Sequence, residues 1–393
     1  MLDVVPPSAR SFLHPDLRRR VDAVLDGAIA ADRLVGAVIL VSVDGNLIHR
    51  RAAGFADREA GVPVQDDAIF RLASVSKLFV ASAAMALVGQ GRLTLDDLVE
   101  TWLPAFRPWL PDGSPAAITV RQLLTHTAGL SYGFLEAEDG PYHRAGVSDG
   151  MDRSGLTLDQ NMRRLAAVPL VFTPGTAWNY SLAIDVLGAM IEKASGLTLP
   201  EAVRNLVTGP LDLADTGFTI AEPARLAAAY ADGAPRPRRM DDVDLIPTMP
   251  GLAGVAMDPA RAFDPDAFPS GGAGMLGTAG DTLRLLETLR RGGAPIAPEA
   301  LVAEMGRDQI GGLPVTGWPG WGHGLGFSVL RDPKVAGTPE SPGTWRWGGA
   351  YGHSWFVDTK EKLSVVAFTN TAFEGMSGGG RFPQDLCRAI YGA

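Results

Sequence analysis

The sequence lacks three features that would each indicate a specialised environment. Cys387 is the only cysteine in 393 residues, so neither an internal disulfide nor a thiolate metal cluster is expected. No apolar run approaches the ~18 residues that a membrane-spanning helix needs. The first twenty residues do not show the basic-then-apolar order of a signal peptide. These absences predict a cytoplasmic protein that does not enter a membrane.

Clustered positive charge and metal-binding motifs are also missing. The formal net charge is −9 and no run is rich in lysine or arginine, which argues against a nucleic-acid surface. The chain contains six histidines: His14, His49, His126, His143, His323 and His353. They show neither HxH nor HExxH spacing, so a zinc hydrolase is not expected, and we predict neither a metal nor a cofactor. We expect the histidines at 126 and 353 to hold loops by hydrogen bonds.

The chain does contain enough apolar residues for a large core, because 46% of its residues are hydrophobic. Two β-rich runs in residues 34–55 are joined by Asp44-Gly45, a strong hairpin signal. The C-terminal third contains four strand-like runs (HGLGFSVL, GTWRWGG, GHSWFVDT and LSVVAFTN), and a helix is predicted at QDLCRAIYG. Helical spacing dominates residues 74–200, and residues 233–250 look irregular. This order predicts one sheet built from both ends of the chain, with a helical insertion.

Three GxSxG pentapeptides offer candidate nucleophiles at Ser131, Ser148 and Ser377. A nucleophile elbow requires a buried strand before the serine and a helix after it. A short amphipathic helix precedes Ser131 and a polar loop follows it, and Ser148 lies inside that loop. Ser377 follows a strand but enters GGGRFP, which we judge a poor helix start. With 47 glycines in the chain, such matches arise easily, so we expect none of the three to be the nucleophile.

A better candidate is the run Ser74-Val75-Ser76-Lys77, which precedes an alanine-rich apolar helix over residues 78–88. Ser74 is expected near the first helical turn, where free backbone N–H groups favour a developing anion. Lys77 lies on the same helix face, three residues later. Its burial would lower the pKa of its amine and let the neutral form accept a proton. The alternative is an ordinary capping serine beside a solvated lysine.

Two further segments add to this candidate site. Tyr180 stands just before a second amphipathic helix, where its phenol could take part in proton transfer, although a structural aromatic residue is the simpler interpretation. Near the C-terminus, a strand reaches Trp347 and continues into Gly348-Gly349 and Ala350. Glycines at a strand edge permit the close approach of a ligand, and a free N–H there could stabilise an oxyanion. They would equally suit a bulge in the sheet.

In this order, the motifs resemble those of the serine β-lactamase and penicillin-binding-protein superfamily, and within it the family VIII carboxylesterases. The resemblance runs from Leu34 to Gly378 and rests on LASVSK, LLTHTAGL, PGTAWNYS, PSGGAGM and WGGAYGHSWFVD. It implies an α/β (α+β) fold with a central antiparallel sheet flanked by helices and an inserted helical domain. The corresponding domains would be residues 1–85 with 265–393, and residues 86–264 as one wall of the active-site cleft.

Transferred to this sequence, the family pattern makes Ser74 the acylated nucleophile and Lys77 its activating base. Tyr180 would share the proton network, protonate the leaving alcohol and then activate water. The backbone N–H groups of Ser74 and Ala350 would form the oxyanion hole.

The resemblance also implies a substrate pocket. Tyr132, Trp347, Gly348 and Gly349 would bind substrate, and Ser131 would lie near the rim without reacting. Two departures from the class C β-lactamase pattern affect specificity. Leu182 stands where those enzymes have an asparagine, and Trp347 where they have the lysine of Lys-Thr-Gly. The lost lysine would have paired with the carboxylate of a β-lactam or a peptide terminus.

The resemblance therefore implies a cofactor-independent carboxylesterase that acts on small-molecule esters. The residues leave open an acyltransferase on the same scaffold, or a weak β-lactamase or DD-peptidase. A catalytically silent binding module is least expected, because the serine, lysine and tyrosine are all present.

Overall fold

The structure is a computed structural model that describes residues 16–220 and 222–393. Residues 1–15, which include His14 and most of the N-terminal segment that is not expected to be a signal peptide, lie outside this range. Within the described ranges, no helix combines the length and the apolar character needed to cross a membrane.

The described residues form twelve α-helices, five shorter helical turns and fourteen strands. The α-helices are α1 Leu17–Ala30, α2 Ser76–Gly89, α3 Val99–Trp102, α4 Val120–Leu124, α5 Pro141–Ala145, α6 Leu158–Ala166, α7 Ala183–Ser195, α8 Leu199–Val203, α9 Ala279–Arg290, α10 Glu299–Met305, α11 Pro333–Ala336 and α12 Phe382–Tyr391. The 3₁₀ turns are Ala73–Val75, Gly133–Leu135, Pro223–Arg225 and Pro259–Phe263, and Arg204–Thr208 is a π-helical turn. The strands are β1 Gly36–Val43, β2 Asn46–Asp57, β3 Val62–Pro63, β4 Phe70–Arg71, β5 Tyr230–Ala231, β6 Arg238–Arg239, β7 Asp244–Ile246, β8 Val255–Met257, β9 Leu276–Gly277, β10 Trp321–His323, β11 Ser328–Leu330, β12 Trp345–Gly349, β13 His353–Asp358 and β14 Leu363–Thr369.

Eight of these strands form the large sheet, in the order β10-β11-β12-β13-β14-β1-β2-β3. All neighbours are antiparallel, and β1 pairs with β14 so that Val38 lies opposite Phe368. The β1–β2 hairpin turns through Asp44 and Gly45, whose φ angles of +52° and +85° suit a tight hairpin turn. The central antiparallel sheet predicted from both ends of the chain is therefore confirmed.

Each face of the sheet is covered by helices. On one face, Ile39 of β1 packs with Leu25 of α1 and Phe382 of α12 in a buried cluster. On the other face, Val38 joins Phe79 of α2 in the main core. All eight residues of β1 are buried, and successive side chains enter the two clusters in turn. Burial of one such side chain contributes about 1.5–3 kcal/mol, so this alternation between the two faces fixes the register of the strand.

Helix α2 lies inside the main core, as its sequence predicted. Every residue of α2 except Val88 and Gly89 is buried, which is the pattern of a helix enclosed on all sides. It packs against α7, the helix that follows Tyr180. The two segments predicted to carry catalytic groups, around Ser74 and around Tyr180, thus lead into neighbouring core helices.

The structure differs from the sequence predictions in three places. The run HGLGFSVL contributes to two strands, β10 and β11, because the backbone turns through Gly326 at a φ of +105°. Helix α12 begins at Phe382, so the glycine–proline segment after Ser377 does start a helix. Pro383 fits there because a first-turn residue needs no N–H partner. Residues 233–250 are not wholly irregular, since they contain β6 and β7. The division into two domains stays a prediction.

Candidate active site

Ser74 lies on the 3₁₀ turn Ala73–Val75, which leads directly into α2. The preceding residue, Ala73, has a φ of +44°, a left-handed conformation that costs a non-glycine residue roughly 1–2 kcal/mol. The turn is tied to a neighbouring segment, because the Leu72 N–H donates to the Met275 carbonyl at 2.9 Å. The surrounding structure therefore holds the serine in a strained and well-defined position.

Lys77 follows one helical turn after Ser74, and its side chain is fully buried. Its Nζ donates to Ser74 Oγ at 3.1 Å and to the Gly272 carbonyl at 2.8 Å. The rings of Tyr180 and Tyr132 lie 4.7 and 5.4 Å from the same nitrogen. The amine is thus held beside the serine hydroxyl by a carbonyl and two aromatic faces. The sequence predicted the lysine but not its contact with Gly272.

Tyr180 completes this network from the segment before α7. Its hydroxyl lies 2.5 Å from Ser74 Oγ, and either oxygen can be the donor. Ser74 therefore contacts both the Lys77 amine and the Tyr180 phenol, so a proton can pass among the three groups. The structure brings the three predicted catalytic residues together, and their chemical roles stay predictions.

The first GxSxG loop is hydrogen-bonded to the segment that carries Tyr180. The Asn179 side chain donates to the Leu130 carbonyl at 2.9 Å, and the Leu182 N–H donates to the Ser131 carbonyl at 3.2 Å. Ser131 itself is 8% exposed, and its hydroxyl has only a long contact of 3.5 Å with a neighbouring carbonyl. The loop positions Tyr180 through its backbone.

The other two GxSxG serines, Ser148 and Ser377, have surroundings typical of structural residues. The Ser148 hydroxyl donates to the Asp152 carboxylate and accepts from the Gly150 N–H at 3.1 Å. Ser377 lies in turns between the end of β14 and the start of α12. Around all three serines, the described backbone shows no strand leading directly through the serine into a helix.

The end of β12 approaches the turn that carries Ser74. A Cβ atom on Gly349 would lie 2.3 Å from the Leu72 carbonyl, so only glycine permits this approach. Gly348 is equally crowded by the neighbouring strand β13. Among the described residues, the N–H groups of Ser74 and Ala350 donate to no backbone carbonyl. An oxyanion hole requires such free donors, so both groups are available for the role predicted for them.

The predicted substrate-binding residues are two aromatic side chains beside Tyr180 and two glycines in β12. The Trp347 ring lies 5.4 Å from the Tyr180 ring, and 8% of Trp347 is exposed. Tyr132 is only 2% exposed and stacks on Phe134 at 4.5 Å, with the Tyr180 ring 5.0 Å away. The structure therefore places both Trp347 and Tyr132 in contact with the Tyr180 ring. Gly348 and Gly349 both lie in the packed strand β12, and Gly349 is the one that lets the backbone approach the turn carrying Ser74.

A group of aromatic residues behind Trp347 was not singled out from the sequence. Its members besides Trp347 are His126, Trp178, Trp318 and His323. Burial lowers the pKa of His126 well below its usual value and that of His323 to about 4, so both rings are neutral at pH 7. The sequence signals that could have suggested this group are His126 in LLTHTAGL and His323 in HGLGFSVL, each in a glycine-containing motif.

His126 holds a loop by a hydrogen bond, as expected, whereas His353 links two strands, β13 and β4. His126 Nδ1 lies 3.2 Å from Ser181 Oγ, and His353 Nε2 donates to the Arg71 carbonyl at 2.8 Å. Across residues 16–220 and 222–393, the structure shows no group of three or more histidine, cysteine or acidic side chains placed to hold a metal.

An antiparallel sheet flanked by helices, with a serine at the start of a buried core helix beside a lysine and a tyrosine, defines the class of serine β-lactamase-like enzymes. Comparison with known families agrees with this architecture. The beta-lactamase family model matches residues 21–389, so the chain belongs to the beta-lactamase family.

Individual relatives include proteins that act on esters. The chain is 52% identical over 373 residues to the esterase EstB of Burkholderia gladioli, covering 95% of each chain. The solved structure of EstCE1, a hydrolase with promiscuous acyltransferase activity, superposes with a TM-score of 0.93 at 47% identity. That match covers 96% of this chain and 98% of EstCE1. The monacolin J acid methylbutanoyltransferase of Aspergillus terreus is 26% identical over 87% of each chain.

The geometry predicts that Ser74 is the reactive serine. A Ser74→Ala variant should lose covalent labelling by a fluorophosphonate, because Ser74 alone among the candidate serines contacts both Lys77 and Tyr180. Loss of an activated nucleophile typically lowers turnover by about 10⁴-fold or more. Intact-mass spectrometry measures the adduct. The matched variants Ser131→Ala and Ser377→Ala should label like the unaltered protein, and an adduct on either serine would refute the assignment.

Proposed function

We propose that the protein is a carboxylesterase that hydrolyses short-chain carboxylic esters through a covalent acyl-enzyme on Ser74. The observation that carries the proposal is the contact of Ser74 Oγ with Lys77 Nζ at 3.1 Å and Tyr180 OH at 2.5 Å. The similarity to the esterase EstB and the SxxK motif support it. We accordingly place the chain with the family VIII carboxylesterases, acting without a cofactor.

In the acylation step, Ser74 Oγ attacks the ester carbonyl and its proton passes to Lys77. The resulting oxyanion would be stabilised by the N–H groups of Ser74 and Ala350. Collapse of this intermediate breaks the bond to the alcohol, and Tyr180 gives the departing oxygen a proton, which it recovers through Lys77. Each residue therefore ends the step in its starting protonation state.

Deacylation follows the same route with water in place of the alcohol. As water attacks the acyl carbon, its proton passes to Tyr180 while the Tyr180 hydroxyl proton moves to Lys77. Lys77 then returns that proton to Ser74 Oγ as the bond between Oγ and the acyl carbon breaks. Because Tyr180 and Lys77 both contact Ser74, the same two groups serve both halves of the reaction.

The surroundings of the site favour uncharged esters over β-lactams. Trp347 provides an apolar ring where a lysine would meet a carboxylate, and a lost charge-assisted hydrogen bond is worth roughly 1.5–3 kcal/mol. Leu182 is fully buried at the N-terminal end of α7, so it packs in the core and offers no amide to a substrate. Small neutral esters need neither interaction.

Acyl transfer to an alcohol is the second candidate activity. The aromatic side chains of Trp347, Tyr132 and Phe134 around Tyr180 favour an apolar acceptor in competition with water, and the promiscuous acyltransferase activity of the similar hydrolase EstCE1 supports this possibility. We expect added primary alcohol to divert part of the acyl group to a new ester. Gas chromatography of the products measures the ratio, and hydrolysis undiminished at high alcohol concentration would exclude transfer.

We also infer that the protein acts in a reducing compartment such as the cytoplasm. Cys387 is buried and unpaired, and burial raises the pKa of its thiol to about 12, so it is inert. Such a cysteine suits a protein that needs no disulfide.

The shared proton network predicts non-additive effects of mutation. Lys77→Ala and Tyr180→Phe should each lower kcat by at least about 10²-fold, the range seen when a general base is removed. Because both act through the Ser74 proton, the double variant should lose far less than the product of the two single losses. Steady-state hydrolysis of p-nitrophenyl acetate measures all three. Fully multiplicative losses would indicate independent roles.

The Trp347 side chain should control selection between esters and lactams. Trp347→Lys should raise kcat/KM for a chromogenic cephalosporin by about 10- to 100-fold, the value of the restored charge-assisted bond, and lower it for apolar esters. The assay is a panel of p-nitrophenyl esters from acetate to laurate beside the cephalosporin.

Trp347→Phe, which keeps an apolar ring, is the matched control and should retain ester preference. In the unaltered protein, ester hydrolysis should exceed cephalosporin hydrolysis by several orders of magnitude. Comparable rates on the two substrates would favour a β-lactamase instead.

A further inference from the structure

A buried carboxylate lies beside the catalytic network. Asp185, in the first turn of α7, is fully buried, and sequence analysis did not single it out. Ser270 Oγ donates to its Oδ1 at 2.6 Å, whereas Oδ2 is buried without a hydrogen-bond partner in the described structure. A buried carboxylate with an unpartnered oxygen is costly unless a positive charge lies nearby.

Gly272 connects this carboxylate to Lys77. The Gly272 carbonyl accepts from Lys77 Nζ at 2.8 Å, and a Cβ atom on Gly272 would lie only 2.4 Å from Asp185 Oδ2. The amine and the carboxylate therefore contact the same glycine, and the absence of a side chain there lets them approach. Burial raises the pKa of Asp185, whereas the Ser270 hydroxyl, the Lys77 charge, the nearby Gly272 N–H and the Arg261 charge all act to lower it.

We propose that Asp185 is a positioning residue that acts through Lys77: its carboxylate stabilises the ammonium formed when Lys77 takes the Ser74 proton. The inference rests on the proposed function, because Lys77 gains this charge only as a general base. As the Ser74 Oγ bond to the acyl carbon forms, its O–H bond breaks and the proton resides on Lys77 Nζ. It later leaves through Tyr180 to the alcohol oxygen, while Asp185 neither gains nor loses a proton.

Other groups around the pair do not replace this negative charge. Tyr180 and Tyr132 face Lys77 with their rings, and burial raises the pKa of Tyr132 well above its usual value. His126 is kept neutral by burial, and Arg261 acts on Asp185 as a second positive charge. Neutral Tyr132 and His126 offer no negative charge to an ammonium, so that role falls to Asp185, the acidic side chain beside Gly272.

The test is Asp185→Asn, which keeps the shape and a Ser270 acceptor but removes the charge. We expect kcat for p-nitrophenyl acetate to fall by about 10- to 100-fold, toward the lower limit for losing general-base assistance. The acidic limb of kcat/KM against pH should also move to lower pH by about one unit. The direction follows because an ammonium without its negative neighbour releases its proton more readily.

Two companion variants separate charge from structure. Asp185→Glu keeps the charge, so its acidic limb should stay at the wild-type pH even if misfit lowers kcat. Asp281→Asn makes the same charge change on α9, where the carboxylate accepts from Thr216, and should leave both kcat and the limb unchanged. Thermal unfolding and active-site titration with a fluorophosphonate give the folded, reactive fraction of each variant.

An acidic limb that moves in Asp185→Asn and not in Asp185→Glu supports the proposal. A limb at the wild-type position in folded Asp185→Asn, or one displaced equally in both variants, overturns it. If Asp185→Asn does not fold, the folded Asp185→Glu variant decides. An acidic limb at the wild-type pH supports the proposal, and a displaced acidic limb overturns it. Failure of the esterase proposal is distinguishable, because the unaltered protein would then form no fluorophosphonate adduct on Ser74.

Discussion

The complete burial of the Lys77 amine is the constraint on which the rest of the site depends. A lysine rarely leaves water, because its charged form loses strong hydration that an apolar core cannot replace. Here the Gly272 carbonyl, the Ser74 hydroxyl and two aromatic faces take the place of that water. All of these partners except Ser74 come from distant parts of the chain, so the fold must bring Gly272, Tyr132 and Tyr180 to one point for the lysine to be tolerated.

Backbone proximity, more than side-chain chemistry, makes this convergence possible. The end of β12 approaches the serine turn only because Gly349 has no Cβ atom, and Gly272 admits the Asp185 carboxylate for the same reason. The pairing of β1 with β14 fixes the distant ends of the chain in one sheet, which brings β12 to the turn before α2. The site is therefore a product of the sheet topology and of a few positions where a methyl group would not fit.

The sequence predicted those parts of the site and fold that depend on local spacing. Ser74 and Lys77 are three residues apart on one helix, and the apolar run after them is long enough to identify a core helix. Tyr180 and Ala350 could be connected to them only through the family resemblance. Gly272, Asp185 and the aromatic group behind Trp347 were missed, because their contacts join segments far apart in sequence. The splitting of HGLGFSVL into two strands depended similarly on one positive φ angle at Gly326.

The burial of α2 on all sides also affects how the protein unfolds. Local opening in native proteins usually begins in segments with few buried contacts, and such motions can detach a catalytic residue while the core stays folded. The helix that follows Ser74 is buried along nearly its whole length between the sheet and α7. Separating Ser74 from Lys77 would therefore require the cooperative loss of the core itself. Catalytic competence and global folding are, in this architecture, nearly the same equilibrium.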